Sequence, residues 1–126
     1  MYGFSKKVNF NFDEAIEKVT EELQKEGFGI LTEIDVKATM KKKLDVDFPN
    51  YKILGACNPP LAHKALTAES EIGLLLPCNV IVYEKNEEIH VSAIDAKAMF
   101  QLVDRNDIES IADEVNMKLK KVIENI

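Results

Sequence analysis

Four times along this chain a run of strand-like residues gives way, across a single Asn or Asp, to apolar residues at helical spacing. The residues at these steps are Asn11, Asp35, Asn58 and Asp95. A side-chain oxygen at such a step accepts a hydrogen bond from a backbone N–H in the first helical turn, so the strand stops and a helix starts. That punctuation predicts strands interleaved with helices, an α+β or α/β domain. At 126 residues, one domain fits and little room is left for a second.

The elements between these steps follow from periodicity. Tyr2, Phe4, Val8 and Phe10 share one face of an opening strand, and Lys6 interrupts that face, which places it near an edge or a rim. Asn11 and Glu14 form a capping box ahead of Phe12, Ala15, Ile16, Val19 and Leu23, with Gly27 as the stop. Phe28, Ile30, Thr32 and Ile34 alternate along a second strand. Asp35 then caps a short helix through Val36, Met40 and Leu44, whose Lys41-Lys42-Lys43 run reads as a solvated face. Tyr51 to Ala56 is a third, largely buried strand. After it, Asn58 caps a helix with Pro59 at its first position and an apolar arc of Leu61, Ala62, Ala65, Leu66 and Ala68.

A loop through Glu69-Ser70-Glu71 leads on to a strand from Cys78 to Tyr83, and a returning strand runs from Ile89 to Ile94. The turn between them, Lys85-Asn86-Glu87, lacks glycine, and Asn86 is its candidate for a positive φ. Asp95 caps a short helix through Ala96, Met99, Phe100 and Val103. A polar break at residues 104–107 precedes a last helix striped with Ile108, Ile111, Ala112, Val115, Leu119, Val122 and Ile123. The expected fold is α+β over residues 1–126, with about five strands packing one face against helices that include the first and the last.

Composition narrows the function classes. Sixteen Lys+Arg against twenty-two Asp+Glu give a net charge of −6. Such a chain is repelled by phosphate backbones, which argues against nucleic acid. No run approaches the ~18 apolar residues of a membrane span. The first seven residues carry charges where a signal peptide needs its apolar core. Two cysteines are too few for a disulfide scaffold, so a cytoplasmic setting with reduced thiols is expected. The phosphate-binding glycine loops, the nucleophile elbow and the zinc-protease helix motif are all missing from the sequence.

The soft ligands are Cys57, His63, Cys78 and His90, and their spacings of 6, 15 and 12 residues are not those of a zinc knuckle. No metal site is expected, and the residues name no cofactor. Cys57 ends a strand just before a helix start, where unpaired N–H groups lower a thiol's pKa. Pro59 and Pro60 weaken that effect, because they lack those N–H groups. If the strands that end at Cys57 and begin at Cys78 are antiparallel neighbours, both thiols lie at the same end of the sheet. His63, on the polar side of the helix that follows, is the nearby candidate base.

Two segments carry a family likeness. Tyr51-Lys52-Ile53-Leu54-Gly55-Ala56-Cys57-Asn58-Pro59, with Leu61-Ala62-His63, and Leu74-Leu75-Leu76-Pro77-Cys78-Asn79-Val80-Ile81-Val82-Tyr83-Glu84 resemble a bacterial and archaeal family. It is the family catalogued as domain of unknown function 302. The amino-terminal strand-helix-strand and the Ile94-Asp95 step look similar, so the likeness covers nearly the whole chain. The resemblance implies a compact α+β domain assembling as a homodimer, and it carries no activity. Three functions stay open, in order of preference. The first is a non-enzymatic module binding a small molecule near Cys57, Asn58 and Cys78. The second is a structural assembly protein with both cysteines buried. The third is an enzyme with Cys57 as nucleophile or sulfur carrier, His63 as base and Cys78 as resolving thiol.

Overall fold

The computed structural model describes residues 2–126, and all four steps are present in it. Asn11 accepts from the Glu14 amide at 2.8 Å, Asp35 from Ala38 at 2.9 Å, Asn58 from Leu61 at 3.4 Å and Asp95 from Ala98 at 3.1 Å. They begin helices α1 (Phe12–Lys25), α2 (Val36–Leu44), α3 (Pro59–Ala68) and α4 (Ala96–Phe100). The capping box at Asn11 is complete, because the Glu14 carboxylate accepts in turn from the Asn11 backbone amide. Gly27, at φ +83°, closes α1: its amide bonds the Gln24 carbonyl and that of Phe28 bonds Leu23.

Strands β1 (Gly3–Val8), β2 (Gly29–Asp35), β3 (Tyr51–Cys57), β4 (Cys78–Lys85) and β5 (Glu88–Ile94) form one sheet in the order β1-β5-β4-β3-β2. Every neighbouring pair is antiparallel. The two edge strands, β1 and β2, are joined by α1, which crosses one face against β4 and β5. The last helix, α5 (Asn106–Glu124), covers the same face over β1 and β5. Between these two helices and the sheet lies the core. Val19, Leu23, Leu54, Val80, Val82, Val91, Ile108 and Leu119 are fully buried there. Each contributes about 1.5–3 kcal/mol through the apolar area it removes from water.

The structure departs from the sequence reading in five places, one of them α4, which ends at Phe100, short of Val103. β1 stops at Val8, leaving Phe10 at a bend. A bulge at Leu31 breaks the even alternation of β2: Ile30 pairs with Ala56, but Thr32 pairs with Gly55, so Ile30 and Thr32 point to opposite faces. The loop after α3 is wound into a 3-10 helix (Ser70–Leu75), held by its fully buried Ile72. The polar break is shorter than expected, since α5 begins at Asn106, and Arg105 ties that start to the Ala68 carbonyl at the end of α3. At the hairpin both Asn86 (φ 54°) and Glu87 (φ 64°) are left-handed, the geometry that matches the twist of the flanking strands. No helix among the described residues is long and apolar enough to cross a membrane.

Lys6 interrupts the apolar face because it sits on the edge strand beside the end of α5. Its ammonium donates to the carbonyls of Ile126 at 2.8 Å and Glu124 at 3.3 Å, which places a cation at the negative end of that helix.

Candidate functional site

β3 and β4 end and begin at the same edge of the sheet, with Ala56 directly opposite Cys78. At that edge α3, the 3-10 helix and α5 stand off from the strand ends and enclose a cavity of about 330 Å³. Its floor is Ala56, Cys57, Cys78 and Phe28. Ala62, Ala65 and Leu66 of α3 form one wall, and Ile111 and Val115 of α5 another. Leu31, thrown out by the bulge, stands at the opening with 69% of its surface exposed. Thr32 and Pro77 complete the side next to Gly55, which has no side chain because a Cβ would collide with both.

Cys57, Asn58 and Cys78 therefore all border this cavity, although the pairing of Ala56 with Cys78 starts the two thiols on opposite faces of the sheet. Both cysteines are free; Cys57 is half-buried and Cys78 buried. Burial, and secondarily the charge that Cys57 would carry, push the Cys78 thiol up to about 11. At neutral pH Cys78 is an S–H group. The first helical turn beside Cys57 offers no free donor. Pro59 and Pro60 have no N–H, the Leu61 amide is taken by the Asn58 side chain, and the Ala62 amide by the Asn58 carbonyl. The other end of the Asn58 amide donates to the Glu26 carbonyl at 3.2 Å, which pins α3 to the end of α1. Asn58 is thus engaged structurally on both sides.

The two histidines lie elsewhere. His63 is on the exposed side of α3, away from the face that presents Ala62, Ala65 and Leu66 to the cavity. His90 stacks on Tyr83 at 5.0 Å, and Tyr83 on Tyr51 at 5.3 Å, along the sheet face that α1 and α5 leave uncovered. His90 pairs across the ladder with Tyr83, five residues along β4 from Cys78, which is roughly 17 Å at strand spacing. No group of three or more His, Cys, Asp or Glu among the described residues is placed to hold a metal ion.

Residues 4–126 match the family model described as domain of unknown function DUF302. The chain belongs to the DUF302 family. Among solved structures, one titled as an uncharacterized conserved protein DUF302 from Bacillus stearothermophilus is similar, with a TM-score of 0.93 and 26% identity. The match covers 99% of this chain and 98% of that one. No curated protein matches the chain.

Part of the cavity in this DUF302 domain comes from residues that read in the sequence as ordinary apolar residues: Phe28, Leu76, Phe100, Ile111 and Val115. The one signal for it in the DUF302 sequence was size. α3 presents alanines at 62 and 65, the strand ends add Ala56, Cys57 and Cys78, and small side chains leave space.

Proposed function

We propose that this DUF302 domain is a non-enzymatic binding module whose small-molecule ligand occupies the cavity beside Cys57, Asn58 and Cys78. The observation that carries this reading is the cavity itself: about 330 Å³, open at one side, at the junction of sheet and helices. That size falls at the lower end of small-molecule sites, which are concave and mostly apolar with few polar groups. The enzyme alternative draws less support. A buried, protonated Cys78 is a poor resolving thiol, and His63 faces solvent. The proposal retains a cytoplasmic setting with reduced thiols. It also retains a homodimer, for which the uncovered sheet face, with half-buried Tyr51, Ile53, Ile81 and Tyr83, is the available surface.

Native mass spectrometry with thiol alkylation tests the reading. The expected result is a non-covalent ligand mass on the freshly isolated protein that is lost on denaturation, in a species of twice the chain mass. Iodoacetamide should modify Cys57 alone in the native protein, more slowly when ligand is bound, and Cys78 only after unfolding. Rapid alkylation of Cys57 well below the ordinary thiol pKa of about 8.5 would favour the enzyme instead. A ligand-free protein whose two thiols both react only after denaturation would leave the assembly role.

A further inference from the structure

Resting on the binding reading above, we infer that the ligand of this cavity is an uncharged, predominantly apolar molecule, carrying at most a hydroxyl or carbonyl group. No charged side chain lines the cavity, and its polar side chains are four: Thr32, Cys57, Asn58 and Cys78. Asn58 has its oxygen on the Leu61 amide and one N–H on the Glu26 carbonyl, which leaves one N–H and one lone pair, neutral groups both. The first amides of α3, which at another helix start would receive a carboxylate or phosphate, are absent or occupied. What remains is the Thr32 hydroxyl, two thiols and the unused half of the Asn58 amide, all uncharged, enough to meet one neutral polar group and too weak to offset the desolvation of an ion.

Size follows from volume. At about 30 Å³ for each water-sized group, the cavity accepts roughly ten non-hydrogen atoms. The opening is apolar as well: Leu31 is 69% exposed and Leu66 42% exposed, the two large side chains a chain-like molecule would meet first. An aliphatic alcohol, aldehyde or small terpene-like molecule fits this description. A fatty acid anion, an amine, a nucleotide or a sugar does not.

Three ligands of one length isolate the charge: octan-1-ol, octanoate and octylammonium, titrated at pH 7 against the isotope-labelled protein and followed by amide chemical shifts. Octan-1-ol should bind saturably, shift the amides of Cys57, Ala62 and Ala65, and bind at least ten-fold more tightly than either ion. Ala62→Trp, which fills the wall, should abolish these shifts. Leu66→Lys, at the exposed outer end of the α3 wall, tests the same point by adding a cation at the opening, and should narrow the preference for octan-1-ol over octanoate. Octanoate or octylammonium binding as tightly as the alcohol at these amides would overturn the assignment of ligand class while leaving a binding module. If none of the three moves these amides, the cavity is not an apolar binding site and both readings fall.

Discussion

Asn58 shows how much one side chain can hold together. Its oxygen caps α3 and its nitrogen reaches the Glu26 carbonyl, so it joins the start of one helix to the end of another while being almost entirely buried. Asn11, by contrast, caps α1 in an exposed position with no second partner beyond its own turn. Removing an exposed cap costs about 1 kcal/mol. Asn58→Ala should cost more, about 2–3 kcal/mol, because it also removes the partner of the part-buried Glu26 carbonyl; urea denaturation of the two alanine variants measures the difference. Equal losses would mean that the bridge to Glu26 is energetically silent. Asp95 makes a comparable step that is sensitive to pH. Burial disfavours its charge, but hydrogen bonds from Asn116 and from the Ala98 and Lys97 amides, with help from Lys120, outweigh that and hold its carboxyl below the usual 3.8. Since the folded value is the lower one, the stabilisation is fully present above about pH 3.8 and disappears as pH falls through the folded value. Asp95→Asn keeps an acceptor for the cap and removes the charge. It should be less stable than the parent by about 0.5–1 kcal/mol at neutral pH and low salt, with the gap closing at acid pH. A gap that persists below pH 2 would show that the loss is steric.

At the scale of elements, strand-to-helix steps were legible because each is a local device, written within four residues. The hairpin was legible for the same reason, and Asn86 adopts the positive φ expected of it. The bulge in β2 was not. Ile30, Thr32 and Ile34 alternate perfectly in sequence, and only the pairing with β3 shows that Leu31 is an inserted residue. Its partner explains why the insertion is tolerated. Gly55 lies opposite Thr32, and Thr32 and Pro77 pack over it in the space a side chain would need. Gly55→Ala should therefore destabilise the domain by about 1–3 kcal/mol, the usual cost of forcing a methyl into filled space. Thr32→Ala removes the oxygen that collides with the new methyl, so the double variant should recover part of the loss. Thermal denaturation of the four proteins in a double-mutant cycle measures the coupling. Additive losses would place the strain on Pro77 instead. The buried Asn116 was missed for a related reason. It interrupts the apolar stripe of α5, and its contacts, a 2.7 Å bond from the Ala96 amide and a 2.8 Å bond to Asp95, lie twenty residues away in sequence.

On the scale of the whole molecule, the sheet order follows from α1 joining the two edge strands, and the cavity follows from where the remaining elements fail to meet. A cavity is a deficit of atoms among elements distant in sequence, here from Phe28 to Val115, and no local pattern records it. Cys57, Asn58 and Cys78 were legible as a place because strand register brings strand end and strand start together; the walls contributed by α3 and α5 depend on how helices pack. Because the site touches the sheet and three helical segments at once, an occupant bound there stabilises the domain as a unit. Each tenfold excess of ligand over its Kd adds about 1.4 kcal/mol, which for a domain of this size corresponds to roughly 4–7 °C in Tm. Octan-1-ol should produce that increment in the parent and none in Ala62→Trp. Two probes report from different regions: far-UV circular dichroism follows mainly the helices, and the change in tyrosine fluorescence follows mainly Tyr51 and Tyr83, on the face opposite α1 and α5, since the third tyrosine, Tyr2, is already exposed in the folded state. If the domain unfolds cooperatively, both probes shift together. A shift seen by circular dichroism alone would mean that the ligand holds α3 and α5 while the sheet melts independently, and that the cavity edge is a separate unit of stability.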